Sequence, residues 1–120
     1  VGVSAKNSAE LAASIRAGKM VKVDHHETLA DGCAGGVDSD TITLGLGTEV
    51  IDDLIDCSEK QIESGLQQIA WSEKMLVEGS AGLAYAAWQE DAHKNTNKIS
   101  AVVLCGANFD KEILSPIVNS

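Results

Sequence analysis

Aromatic residues and positive charge are both scarce in this sequence of 120 residues. Aromatic side chains make up only 3% of it, and nine Lys and Arg face eighteen Asp and Glu, which gives a formal net charge of −9. A surface this acidic repels phosphate backbones and anionic lipids, and so few aromatic rings provide no platform for stacked bases. We therefore expect neither nucleic acid nor a membrane surface among its partners.

The sequence also lacks a long apolar run, a secretory leader and paired cysteines. No apolar stretch is long enough to cross a bilayer, and no charged-then-apolar segment opens the chain. The three cysteines, Cys33, Cys57 and Cys105, are odd in number and contain no CxxC pair, which is typical of free thiols in a reducing compartment. These features predict a cytoplasmic protein without a zinc site.

The first half of the sequence alternates between short apolar segments and helix signals. Residues 1–3 are typical of a strand, and residues 7–10 form an Asn-Ser-Ala-Glu capping box before a helix that Gly18 should end. Periodicity is then lost over the glycine-rich residues 19–40, which predicts an irregular loop. Apolar residues four apart favour a helix over residues 41–53, although part of this stretch also alternates like a strand.

The second half contains clearer signals. Residues 54–57 are predicted to form a strand, and residues 58–61 form a second capping box. The helix that follows should bury an apolar stripe made of Ile62, Leu66, Ile69 and Ala70. Residues 83–88 favour a helix rich in small side chains, and the polar residues 91–98 indicate a surface connection.

The last part of the chain holds the most distinctive stretch. Residues 101–104 are apolar and largely β-branched, which predicts a strand buried on both faces of a parallel sheet. A tight turn follows at residues 105–108, and Asp110 is placed to cap a helix over residues 113–118. The order of elements predicts one α/β domain over residues 1–120, with helices packed on a small parallel sheet of about three strands.

Considered one by one, the polar residues suggest ordinary structural roles. Cys105, at the end of a buried strand, is interpreted as a small hydrophobe, and Glu78 as a helix-capping carboxylate. His25 and His26 are adjacent on an extended chain and therefore point to opposite sides, which favours solvated loop residues over a metal site. The glycines show no nucleotide-binding spacing.

Four motifs taken together resemble a known family. In order they are Thr28-Leu29-Ala30-Asp31-Gly32, Ile51-Asp52-Asp53, Val77-Glu78-Gly79-Ser80-Ala81-Gly82 and Val102-Val103-Leu104-Cys105-Gly106-Ala107-Asn108-Phe109-Asp110. Their order and spacing are similar to those in the C-terminal part of threonine/serine dehydratases and serine racemase. These are pyridoxal-phosphate enzymes of the tryptophan-synthase-β fold, also called fold type II. The resemblance covers nearly all 120 residues and implies part of the large α/β domain of such an enzyme.

The resemblance implies a role for each matched position. Cys105 stands where the family places a Ser or Cys that hydrogen-bonds the pyridine nitrogen of the cofactor, and Glu78 matches a glutamate beside the cofactor ring. Gly32 matches a glycine whose backbone lies against the ring, and Asn108 should hold the turn. Ser4 replaces a glutamate of metal-activated members, so no divalent-cation site is expected.

Two parts of the family pattern have no counterpart in this sequence. They are the Schiff-base lysine segment and the glycine-rich phosphate cradle. We therefore expect a C-terminal fragment of a dehydratase that acts on hydroxy amino acids, with no catalytic residue of its own, inactive and without bound pyridoxal phosphate when alone. The alternative is a freestanding, non-catalytic relic that acts as an oligomerising or small-molecule-binding module. An incomplete sheet leaves an unpaired edge and an apolar face, which predicts a homo-oligomer.

Overall fold

Two strands are interspersed with five helices along the chain, as expected for an α/β fold. The computed structural model describes all residues, 1–120. In chain order the elements are β1 (Gly2–Ala5), α1 (Glu10–Ala17), α2 (Ile42–Val50), β2 (Leu54–Cys57), α3 (Glu59–Gln68), α4 (Gly79–Asp91) and α5 (Lys111–Asn119). A π-helical turn at Ile69–Glu73 continues α3, and a 3₁₀ turn at Ala92–Asn95 continues α4. No helix is long and apolar enough to cross a membrane.

The sheet consists of two parallel strands. β1 pairs with β2, with Gly2 opposite Leu54 and Ala5 opposite Cys57. A parallel pair needs a crossover connection, which here contains α1, the loop of residues 19–40 and α2. The α/β class with a small parallel sheet is therefore confirmed, although the sheet has two strands and not three.

The predicted helix ends are confirmed where the capping residue contacts atoms within one turn of its own helix. Ser58 caps α3, and the side-chain oxygen of Gln61 accepts a hydrogen bond from the Ser58 N–H at 2.8 Å, so the second capping box is confirmed. Gly18 ends α1 in the left-handed region, with φ of 65°. A helix also forms in residues 41–53, as α2, which ends at Val50, three residues before the predicted end. Thr41 caps it by accepting from the Thr43 N–H.

The first capping box is wrong. Ala9 and not Asn7 occupies the N-cap of α1, and no side chain caps this helix. The Asn7 amide instead donates to the carbonyl oxygen of Glu27 at 2.6 Å, and the Glu10 carboxylate turns to the loop of residues 19–40. Both side chains therefore have partners far along the chain, which a local motif does not reveal.

Helices α3 and α4 form the centre of the core because two glycines let them approach closely. A Cβ on Gly65 would lie 2.6 Å from the carbonyl oxygen of Gly82, and a Cβ on Gly82 would lie 2.6 Å from Leu66 Cγ. The predicted stripe of α3 is buried here. One hydrophobic cluster joins the helices to both strands, with members from Ala5 to Ile117.

The strand predicted over residues 101–104 does not form. Residues 99–105 make no backbone hydrogen bonds, and Ile99 and Val103 are 103% and 73% exposed. A strand buried on both faces needs neighbouring strands and a covering layer, whereas β1 and β2 pair only with each other. The helix after this segment does form, as α5. Asp110 occupies its N-cap position, but the Asp110 side chain makes no capping hydrogen bond.

Candidate functional site

Glu78 connects the start of α4 to the turn that follows the exposed segment. The residue occupies the N-cap position of α4, directly after the buried Val77, but its carboxylate makes no capping hydrogen bond to the helix, so its interpretation as a capping carboxylate is wrong. Its Oε2 accepts a hydrogen bond from the Asn108 N–H at 2.9 Å, and its own N–H donates to the carbonyl oxygen of Gly106 at 3.3 Å. The side chain and the backbone of Glu78 thus each form a hydrogen bond to the turn at residues 105–108.

Two glycines from distant parts of the chain approach the Glu78 carboxylate. A Cβ on Gly106 would lie 2.3 Å from Oε1, and a Cβ on Gly32 would lie 3.3 Å from the same oxygen and 3.0 Å from Ser80 Oγ. Gly106 also has a φ of 94°, which L side chains rarely adopt. Three segments therefore meet at one carboxylate: the loop, the start of α4 and the turn.

The hydroxyl of Ser80 is an unusual feature of this meeting point. Ser80 Oγ is buried and has no hydrogen-bond partner within the chain. Buried polar atoms nearly always have a hydrogen-bond partner, so this hydroxyl remains available to donate or accept a hydrogen bond. It lies beside the backbone of Gly32.

The structure gives each predicted cofactor residue a place. Glu78, Gly32 and Asn108 come together as described, and Asn108 does so through its backbone N–H. Cys105 adjoins Gly106 in the turn and is exposed, so its interpretation as a buried hydrophobe is wrong for this chain. The reason is the missing strand, because only a paired and covered strand would bury its last residue.

A second cluster, which the sequence analysis missed, lies at the start of α1. The Glu10 side chain is 1% exposed, and its Oε1 accepts from Val37 N–H at 2.8 Å and from Lys22 Nζ at 3.0 Å. His25 contacts Oε2 through Nε2 at 3.1 Å and Ser8 Oγ through Nδ1 at 2.7 Å, so it is not the freely solvated residue expected. These hydrogen bonds, that of Val37 first, lower the pKa of Glu10 to about 2.

An open cavity of about 770 Å³ borders the Glu78 site. Its lining includes Asp31 and Asn108 from the two loops, Gly79 from α4, and Glu59 from α3. The volume is in the range of small-molecule sites, which are usually 300–1,000 Å³ in size. The converging loops therefore border a cleft large enough for a cofactor or a small ligand.

Comparison with known proteins identifies the chain's relatives. The sequence profile of pyridoxal-phosphate dependent enzymes matches residues 1–106. The chain belongs to this family. L-threonine ammonia-lyase from Thermotoga maritima is 28% identical over 119 residues, and serine racemase from Schizosaccharomyces pombe is 30% identical over 99 residues. These matches cover 99% and 82% of this chain, but 29% and 30% of those enzymes.

The fold is shared with solved members of the family. Threonine deaminase isoform 2 from Solanum lycopersicum superimposes with a TM-score of 0.83 and 23% identity, covering 98% of this chain and 35% of that structure. The resemblance to fold type II enzymes is thereby confirmed, and the chain is a partial, threonine-dehydratase-like domain. It spans about a third of the length of the relatives that it matches.

The residues around Glu78 fit one side of pyridoxal phosphate, the cofactor of this family. The exposed Cys105 thiol is a neutral, weak donor, Gly32 presents backbone without a side chain, and Ser80 Oγ lacks a partner. The chemistry of these groups suits the ring of the cofactor, and no cationic side chain pairs with Glu78 to hold a phosphate there.

Proposed function

We propose that this chain is the C-terminal portion of a pyridoxal-phosphate-dependent threonine/serine dehydratase, an ammonia-lyase for hydroxy amino acids. The supporting observation is the convergence of Gly32, Gly106 and Asn108 on the Glu78 carboxylate. These residues belong to three of the four family motifs, which are far apart in sequence. In this proposal they form one wall of the cofactor site.

The residues of this wall have separate tasks. When bound, pyridoxal phosphate supplies the electron sink for elimination at the β-carbon. Cys105 offers its S–H to the pyridine nitrogen, and because a thiol is neutral it does not force the ring to be protonated. Glu78 fixes the turn that carries Cys105. A glycine at position 32 lets the loop lie close to this carboxylate, since a Cβ there would lie 3.0 Å from Ser80 Oγ and 3.3 Å from Glu78 Oε1.

We also propose that the chain is inactive by itself. The sequence has no counterpart of the Schiff-base lysine segment or of the phosphate cradle, so neither covalent attachment nor a phosphate anchor is expected. The purified chain with added pyridoxal phosphate should therefore produce no pyruvate from serine and no 2-oxobutanoate from threonine. Formation of either product by the chain alone would refute this.

A chimera tests the function directly. The part of the Thermotoga maritima enzyme that matches this chain is replaced by residues 1–120, and product formation from threonine and serine is measured. We expect activity in the chimera and a clear loss in Cys105→Ala, with Cys33→Ala as the matched exposed-thiol control. A soluble chimera that holds the cofactor but makes no product would contradict the proposal.

A second candidate function is an oligomerising or small-molecule-binding module without catalysis. The exposed apolar side chains of Ile99 and Val103 favour it, together with Trp71, which is 58% exposed. Apolar surface that is contiguous commonly marks contact sites, whereas singly exposed apolar side chains do not. Both candidates predict a homo-oligomer, and light scattering that shows a monomer across a wide concentration range would count against oligomerisation.

Domain organisation and location complete the proposal. The single hydrophobic cluster that extends from Ala5 to Ile117 supports one domain over residues 1–120, which predicts a single cooperative unfolding transition. The three free cysteines support a reducing compartment, the cytoplasm. A small hydroxy amino acid is the proposed substrate of the complete enzyme.

A further inference from the structure

The loop of residues 19–40 carries Gly32 to the Glu78 site. On its N-terminal side this segment is fixed by packing, because Ala30 is buried in the core and the Leu29 backbone lies against Gly79, but the turn that holds Gly32 makes few hydrogen bonds. The 3₁₀ turn at Asp31–Cys33 is closed by local bonds, from Cys33 N–H to Ala30 and from Ala34 N–H to Asp31. The Gly32 N–H donates only to the Asp31 side chain, at 2.8 Å. The turn itself therefore makes no hydrogen bond to a distant part of the chain.

A carboxylate on each side of the turn holds the loop in place. Before the turn, the Leu29 N–H donates to Glu59 Oε2 at 2.8 Å. After it, the Val37 N–H donates to Glu10 Oε1 at 2.8 Å, and the Gly35 N–H donates to Ser8 Oγ at 2.9 Å. The chain before Gly32 is thus fixed by packing of Ala30 as well as by Glu59, whereas the chain after Gly32 is held by the Gly35 and Val37 hydrogen bonds.

The Glu10 anchor is the more elaborate of the two. Lys22 Nζ bonds both Glu10 Oε1, at 3.0 Å, and the Val37 carbonyl oxygen, at 3.2 Å, so it links the carboxylate to the loop a second time. His25 bridges the other carboxylate oxygen and Ser8. A buried carboxylate with charged and neutral donors on both oxygens has a fixed orientation, because any rotation would break several charge-assisted bonds.

We propose that Glu10, oriented by Lys22 and His25, is a positioning residue for the candidate cofactor site. It sets the place of Gly32 beside Glu78 through the Val37 and Gly35 attachments, although it touches neither Gly32 nor Glu78. The inference rests on the proposed function in one respect, namely that Gly32 forms part of the cofactor site. The positioning itself is a property of the chain without ligand.

Amide hydrogen exchange by NMR on the 120-residue chain tests the inference. Lys22→Met removes the ammonium bridge at a side chain that is 74% exposed, so the fold should survive. We expect the amides of Gly35 and Val37 to exchange about tenfold faster, as for the loss of one charge-assisted bond. The amides of Cys33 and Ala34, in the turn that carries Gly32, should accelerate with them.

Matched controls separate positioning from general loosening. Lys19→Met and His26→Asn change neighbouring residues that form no ion pair, and should leave the loop amides unchanged, whereas His25→Asn should accelerate them. Lys22→Arg should restore protection to within about twofold, because its guanidinium keeps the charge. Amides in the α3–α4 core should stay protected in every variant.

The outcomes are distinct. Unchanged exchange at Gly35 and Val37 in both Lys22→Met and His25→Asn would overturn the role of the Glu10 network. Faster exchange there without any change at Cys33 and Ala34 would show that the network does not position the turn, and would overturn the proposal equally. Because no cofactor is used, an inactive chimera would not affect either result.

Discussion

Gly106 and Glu78 are in such close contact that a Cβ on Gly106 would overlap the carboxylate, at 2.3 Å from its carbon. The contact joins the turn at residues 105–108 to the start of α4, and the hydrogen bond from Glu78 N–H to the Gly106 carbonyl reinforces it. The placement of Cys105 therefore depends on a glycine that follows it and on a glutamate 27 residues before it.

Gly106→Ala should destabilise the chain by at least about 2 kcal/mol, because a strained positive φ adds to overpacking. The measurement is urea unfolding. Gly35→Ala is the matched control, because Gly35 also has a positive φ, of 120°, but a Cβ there meets nothing within 4 Å. It should cost only about 1 kcal/mol. Equal costs for the two variants would show that the Glu78 contact is unimportant.

Glu78→Ala should release the turn at residues 105–108. The Asn108 N–H loses its acceptor, so we expect its amide to exchange about tenfold faster. Glu78→Gln keeps an oxygen of similar position and should retain most of the protection. If the Asn108 amide were equally protected in all three proteins, the carboxylate would not brace the turn.

A contact could be predicted from the sequence when the two residues that form it are close together along the chain. Gly18 ends α1 and Ser58 caps α3 through contacts within one helical turn, and both were predicted. Glu10 fits a capping box equally well, but its partners Lys22 and Val37 lie on an irregular loop without periodicity. No local pattern signals such contacts.

The same limit applies to the last apolar stretch and to the site. Residues 101–104 have the composition of a buried strand, but a strand also needs neighbours, and the two strands present pair with each other. The family motifs indicate Glu78 and Gly32, whereas the contact of Gly106 with the Glu78 carboxylate joins residues 28 apart and follows from no local pattern. The sequence thus shows which residue types are present, but the contacts that give these residues a role depend on the fold.

Gly65→Ala should separate α3 from α4 and cost about 1–3 kcal/mol, because its Cβ would meet the Gly82 backbone, which cannot rotate away. Gly45→Ala in α2 is the control, since a Cβ there meets nothing within 4 Å. That variant should be stabilising by about 0.5–1 kcal/mol, from the higher helix propensity of Ala. Thermal and urea unfolding measure both, and a stabilising Gly65→Ala would contradict the close helix packing.

The buried Glu10 makes the stability of the chain depend on acid pH. The pKa of Glu10 is lowered from 4.5 to about 2 by the Val37, Lys22 and His25 hydrogen bonds, so the folded state binds this proton less readily than the unfolded state. The Glu10 contribution to stability is therefore complete above pH 4.5 and is lost as the pH falls toward 2.

Glu10→Gln has no such proton to bind. The difference in urea midpoint between the wild type and this variant should therefore shrink across that pH range. Glu27→Gln, which removes a charge without an ion pair, should run parallel to the wild type. A wild-type advantage that stayed constant from pH 6 to pH 2.5 would show that Glu10 is not held as an ionised carboxylate.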